Sequence, residues 1–214
     1  MSSPRPKPRA APKARAAPKR RAETKDATRA ALIAAAYEEF GERGLDASLD
    51  HICARAGVTR GAFYVHFEDR DALITAVMRH VMGDFVALLA GTRPEAGGIE
   101  RAIRLFFAAA QARSPVIHGG RGLRFFHLMD ACRRSPEIGT TYRELMMTAR
   151  DRIAVGFEHD QRAGHVRDDV GATAIAELLT IAALGVVAML ELDLPLDLAR
   201  LGETLLGVVE RRAP

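Results

Sequence analysis

Gly44-Leu-Asp-Ala-Ser-Leu-Asp-His-Ile-Cys-Ala-Arg-Ala-Gly-Val-Thr-Arg-Gly-Ala-Phe-Tyr-Val-His-Phe67 is the stretch whose reading decides the fold. Ser48 stands where an N-cap belongs, ahead of a short helical run through Leu49, Ile52, Cys53 and Ala56. Gly57 breaks that run. Thr59 caps a second short helix, which passes through Phe63 to about Phe67. Two short helices joined by a glycine turn are the geometry of a helix-turn-helix, and Ala54 and Ala56 are small enough for the helices to pack closely. The second helix carries Arg60, Tyr64 and His66 and would enter a DNA major groove, with its N-terminal residues meeting base edges.

Upstream, Leu32, Ile33, Ala36, Tyr37 and Phe40 recur at helical spacing, with Glu38, Glu39, Glu42 and Arg43 expected to face away, and Gly44 stops the helix. Downstream, Asp69 caps a long fourth helix in which Leu73, Val77, Val81 and Phe85 lie four apart. Further helices are predicted over about Ile99–Ala112, Gly122–Cys132, Pro136–Arg162 and Ala172–Leu192, with Ser135-Pro136-Glu137 as a helix start. A last helix carries Leu198, Leu201, Leu205 and Val208 on one stripe. No strand-like alternation occurs, so the fold class is all-α, with about nine helices. Three domains are expected: a disordered basic tail at 1–23, a helix-turn-helix domain at 24–70, and a helical regulatory and dimerisation domain at 71–214.

The charge distribution separates the tail from the rest. Residues 1–22 hold eight basic and no acidic side chains, so a chain of net charge +4 has a body of net charge −4. Rich in proline and without a large apolar side chain, the tail cannot offset the entropy of ordering itself. Its solvated, flexible state is the ordinary one, and nonspecific phosphate contact is the functional alternative. The longest apolar run, Leu178–Leu190, falls short of the roughly 20 residues of a membrane span and reads as a buried helix. No membrane association is expected. Two cysteines, Cys53 and Cys132, sit in no CxxC pair, which fits a reduced, cytoplasmic setting. Packing is the expected role of both, although Arg133 and Arg134 would lower the Cys132 pKa.

From the Phe40…Gly44 end of helix one to Leu73, the sequence resembles the DNA-binding domain of the TetR family of transcriptional regulators. The shared features are the glycine before the cap, the Ala-Gly-Val turn, a small-residue recognition helix and the Tyr-x-His-Phe ending. Gly164-His-Val-Arg-Asp-Asp-Val170 followed by an apolar helix resembles the family's C-terminal pattern more loosely. The resemblance implies that Ser48, Thr59, Tyr64, His66 and Arg70 hold phosphates of double-stranded DNA, while Arg60, Gly61, Ala62 and Val65 face the groove. Ala62 and Val65 depart from the family's commoner polar choices, which implies apolar readout such as contact with a thymine methyl. It further implies a homodimer on a palindromic operator, released by a small-molecule effector, with repression the usual outcome.

Phe63 and Phe67 are expected in the core of the small domain rather than at bases. In the second domain Phe106, Phe126, Met129, Met147 and Phe157 are candidates for lining an effector pocket, a role that competes with ordinary core packing. The histidines have no metal-ligand spacing, so neither metal nor cofactor is expected. No nucleophile–base arrangement or phosphate loop points to an enzyme. The alternative function is a sequence-independent, architectural DNA-binding protein driven by the tail.

Overall fold

Helix starts and stops follow the caps read from the sequence. The computed structural model describes residues 18–90, 97–114, 117 and 122–211, and all regular structure among them is helical. We number the helices α1 Pro18–Arg43, α2 Leu49–Arg55, α3 Arg60–His66, α4 Arg70–Ala90, α5 Gly98–Gln111, α6 Phe125–Arg134, α7 Pro136–Arg162, α8 Ala172–Glu191 and α9 Leu198–Val209. Gly44 and Gly57 take left-handed φ values of 73° and 68°, which a side chain would disfavour. The Ser48 and Thr59 hydroxyls accept the N–H groups of His51 and Ala62, each at 3.2 Å. Asp69 accepts the N–H of Ala72 at 2.8 Å. Pro136 opens α7 as expected, but the Ser135 hydroxyl makes no capping bond.

One expected boundary moves. Helix α1 begins at Pro18, so the last six residues of the segment expected to be disordered belong to the helix. Proline is tolerated in a first helical turn, and the alanine, lysine and arginine that follow are strong helix formers. The expectations for residues 1–17 lie outside the described residues.

Helix α1 packs on α2, α3 and α4, while α7 packs on α4, α5, α6 and α8. Helix α4 therefore belongs to both groups. Phe63 and Phe67 are buried with Leu32, Phe40 and Ile52, as expected of core residues. The N-terminus of α5 is held from α7: Asp160, fully buried, accepts the N–H groups of Gly97 at 3.0 Å and Ile99 at 2.9 Å. Gly202 lets α9 approach α5 closely, because a Cβ there would stand 3.2 Å from the Phe107 ring.

Helix α8 is two-sided rather than buried throughout. Ile175, Ala176, Leu179, Ala183 and Val187 face the interior, whereas Ile181 is 67% exposed and Leu178, Met189 and Leu192 are also exposed. By length and composition it is the one helix among the described residues apolar enough to cross a membrane. Its inner face is nevertheless committed to the packing of the helical body. In α9 the inward positions are Gly202, Leu206 and Val209. The stripe expected from Leu198, Leu201, Leu205 and Val208 lies beside them, half-buried or exposed.

Candidate nucleic-acid interface

The position of α3 depends on how α2 is fixed to α1. Glu39, expected to face solvent, is only 3% exposed. Its carboxylate accepts from Arg55 Nε at 2.7 Å and pairs with Arg43. Arg55 also reaches Glu38 at 2.6 Å and Glu42 at 2.8 Å, so one guanidinium of α2 joins three carboxylates on two successive turns of α1. Burial pushes the Glu39 carboxyl pKa up, but the hydrogen bonds and charges of Arg43 and Arg55 outweigh that and hold it below its ordinary value. These carboxylates raise the Arg55 pKa, with Glu38 and Glu42 acting first. Sequence periodicity missed this set, because glutamates one residue apart on a helix look alike until the partner helix is placed.

Helix α3 then presents an open outer face. Arg60 and Gly61 at its start are exposed, Tyr64 is 55% exposed and Val65 is 65% exposed. Ala62 and His66 are half-buried. The His66 Nδ1 atom is buried, with no hydrogen-bond partner among the described residues. Phe63, on the opposite side, stacks with Phe67 at 5.6 Å and meets Tyr64 edge-on at 5.1 Å. Arg60 approaches Asp50 of α2 at 3.4 Å, both side chains largely exposed, and its pKa is raised by the Tyr64 hydroxyl first and Asp50 next. Ser48 and Thr59 flank this face, exposed, each with its own O–H left to donate after accepting its capping bond. Arg29 of α1 lies over the Phe67 ring, 5.0 Å from its centroid, another neighbour that sequence spacing did not reveal.

Comparison with known proteins fits this geometry. Residues 32–77 match the family described as bacterial regulatory proteins, tetR family. The regulator UidR of Escherichia coli K12 is 28% identical over 181 residues, spanning 81% of this chain and 85% of UidR. The repressor BepR of Brucella suis is 54% identical over 44 residues, 20% of this chain and 21% of BepR. The structure of SmeT, repressor of a Stenotrophomonas maltophilia multidrug efflux pump, is 25% identical with a TM-score of 0.66, covering 88% of this chain and 93% of SmeT. A second SmeT structure is a complex with triclosan. Residues 32–77 thus carry the family's DNA-binding domain, and the chain as a whole is similar to TetR-family regulators.

Arg70, expected at a phosphate, also makes contacts inside the protein. Its guanidinium, half-buried, donates to the carbonyls of Ala47 at 2.6 Å and of Leu45, and lies 5.7 Å from the Phe40 ring centroid. Burial lowers its pKa. Through Nη2 the side chain ties the start of α4 to the α1–α2 connection. A second tie comes from the helical body: Arg134, at the end of α6, contacts Asp46 at 3.2 Å and Asp130 at 2.7 Å. Nearby, the Tyr37 ring of α1 packs directly on Gly122, where any Cβ would collide with it.

The five residues expected to line an effector pocket do not share a cavity. Phe106 lines a small one of about 30 Å³ between α5, α7, α8 and α9, with Ile103, Phe107 and Leu179. Phe157 is fully buried in the core, Phe126 and Met147 are exposed, and Met129 is half-buried against the core. A second small cavity, of about 40 Å³, lies between α4, α6 and α8, and on α6 it is lined by Phe125 and Leu128 rather than by Phe126 and Met129. Burial pushes the Cys132 thiol pKa up rather than down, and Arg133 and Arg134 are engaged with Asp130. Burial likewise raises the Cys53 pKa.

The Glu39 pairing gives a pH signature. Folding favours the deprotonated carboxylate, so the stability it supplies is complete above about pH 4.5, its ordinary value, and is lost as pH falls through the lowered value. Glu39→Gln is expected to lower the melting temperature at pH 7 and to flatten its fall between about pH 4.5 and pH 3. Thermal denaturation followed by circular dichroism across that range checks both effects. An unchanged acid profile would contradict the role given to Glu39.

Proposed function

We propose that this protein is a sequence-specific transcriptional regulator, a homodimer that reads a palindromic operator with α3 and is released from it by a small-molecule ligand. The observation that carries the reading is the outer face of α3, where Arg60, Gly61, Tyr64 and Val65 are exposed while Phe63 alone anchors the helix. An exposed valine beside an arginine on a rigidly capped helix is suited to base edges, with the guanidinium on guanine and the methyls on thymine. Ser48, Thr59, Tyr64 and His66 would hold phosphates around it. For His66 the contact would run through Nε2, since Nδ1 is turned inward. Ala62, half-buried, gives way at the groove centre to Gly61 and Val65.

Gly61 supports the reading from another direction. A Cβ added there would meet only the Thr59 hydroxyl, at an ordinary 3.8 Å. Nothing in the free protein requires glycine inside this helix, where it is less favourable than alanine by about 1 kcal/mol. Close approach of DNA backbone or bases supplies the missing requirement.

Two-fold pairing would use the outer faces of α8 and α9, where Leu178, Ile181, Gly185, Met189 and Leu192 follow a three-and-four spacing. Gly185 has nothing within 4 Å of an added Cβ, so a partner helix would find room there. The reading divides the chain into a DNA-binding unit at 24–70 and a regulatory unit at 71–214, working in the cytoplasm as a regulator rather than an enzyme. A triclosan complex of SmeT supports a small-molecule ligand. Release follows if the ligand prefers the state in which the two α3 helices are wrongly spaced.

Gly61→Ala is expected to raise stability by about 0.5–1 kcal/mol while weakening operator binding, a combination that a purely structural glycine would not give. Arg60→Ala should lose about 1–3 kcal/mol of discrimination at one base pair per half-site, and equal loss on every sequence would refute its assignment. Both are read by melting curves and by titration of labelled duplexes.

Ile181→Glu is expected to convert the dimer to a monomer in sedimentation analysis and to lower operator affinity. A dimer that survives this change would move the interface elsewhere.

A further inference from the structure

Between Ser48 and Phe67, the stretch that forms α2, α3 and their turn, Asp50 is the one acidic side chain. It stands in the first turn of α2 and is 70% exposed, with its carboxylate 3.4 Å from Nη1 of Arg60, itself 57% exposed. An ion pair this open to water adds little to stability. The helix dipole favours an acid in that turn, yet it does not select the position that faces α3. A carboxylate beside a surface that meets phosphates repels them, so at this place it opposes the binding of every DNA sequence alike.

The geometry offers a second role for it, the control of Arg60. Asp50 engages Nη1 from α2, and the Tyr64 hydroxyl, one turn further along α3, approaches the same guanidinium closely enough to raise its pKa. Partners on two elements restrict a side chain that would otherwise swing freely. A guanidinium has five N–H donors, so enough remain for the paired acceptors of guanine, N7 and O6. Without Asp50, a mobile cation at the start of α3 would serve phosphates as readily as bases.

We propose that Asp50 is a positioning residue for sequence specificity, which aims Arg60 at a base edge and withholds it from the phosphate backbone. This rests on the reading of α3 as the helix that enters the groove, and adds a residue that sets discrimination without touching DNA. On a wrong sequence, moving Arg60 to a phosphate would leave the Asp50 carboxylate unpaired among phosphates. On the right one, the guanidinium keeps Asp50 while it donates to guanine. Discrimination then comes from weakening the wrong complexes as well as from strengthening the right one.

The test compares the full chain with Asp50→Asn, Arg60→Ala and the double variant. The probes are the inverted repeat selected from a random library by the unaltered chain, its single base-pair variants, and a scrambled duplex of the same length. Asp50→Asn is expected to bind the scrambled duplex about threefold to tenfold more tightly, and to lose about fivefold or more of the preference at the base pair that Arg60→Ala identifies. On the scrambled duplex its slope of log K against log salt should steepen by about 0.9, the contribution of one further phosphate contact. In the Arg60→Ala background the same substitution should leave preference and slope unchanged. An unchanged preference or an unchanged slope overturns the proposal, and a lowered melting temperature alone would make Asp50 a helix-start residue. The same changes in the Arg60→Ala background, or a preference altered at a different base pair, also overturn it. In each of these cases the selected repeat leaves the regulator reading standing, whereas failure to select any repeat would overturn both.

Discussion

A buried carboxylate governs the geometry of the DNA-binding unit. Glu39 is removed from water on the inner side of α1, a position that is strongly unfavourable for a charged group unless it is paired and hydrogen-bonded. Arg43 from its own helix and Arg55 from α2 provide that pairing. Because Arg55 also spans Glu38 and Glu42, α2 is held in one register along α1. The left-handed turn at Gly57 and the Thr59 cap then set the direction of α3. With Phe63 and Phe67 anchored in the same core, the outward positions of α3 follow without any interaction of their own. A face that need not contribute to stability is free to carry Arg60, Gly61 and Val65.

The connection to the helical body is built from the same kind of interaction, polar contacts at element ends. Arg70 fastens the start of α4 to the carbonyls on either side of Asp46, and Arg134 fastens the end of α6 to Asp46 itself. Asp160 and Glu191 cap α5 and α6 from α7 and α8. Interior packing is apolar, but the orientation of helices relative to one another is set by a few charged side chains at their termini. Such contacts can be exchanged for others without unpacking a core, which is what a ligand-driven change of helix orientation requires.

Much of this was legible in the sequence because it is local. The caps at Ser48, Thr59 and Asp69 and the turns at Gly44 and Gly57 each depend on a residue and its near neighbours, and the structure has them as expected. The burial of Phe63 and Phe67 followed from helical spacing. Features decided by a partner element were not legible. Glu39 has the composition of a solvated glutamate, and only the approach of Arg55 makes its burial tolerable. Nothing in the sequence shows that Arg70 Nη2 donates to the carbonyls of Leu45 and Ala47. Phe125 and Phe126, or Leu128 and Met129, are equivalent in composition and differ only in which way α6 is turned against α4. The apolar run at 178–190 suggested burial on all sides, whereas the structure gives α8 an inner and an outer face.

Sequence-specific reading by α3 in a two-fold assembly is the central claim, and selection of bound duplexes from a random DNA library tests it most directly. The full chain and a chain lacking residues 1–22 would be selected in parallel at one salt concentration. Both should yield the same inverted repeat, with half-sites about one helical turn, roughly 34 Å, apart or slightly more. No motif from either chain, or binding that vanishes with the tail, would contradict it and leave phosphate attraction by the basic segment as the source of DNA binding.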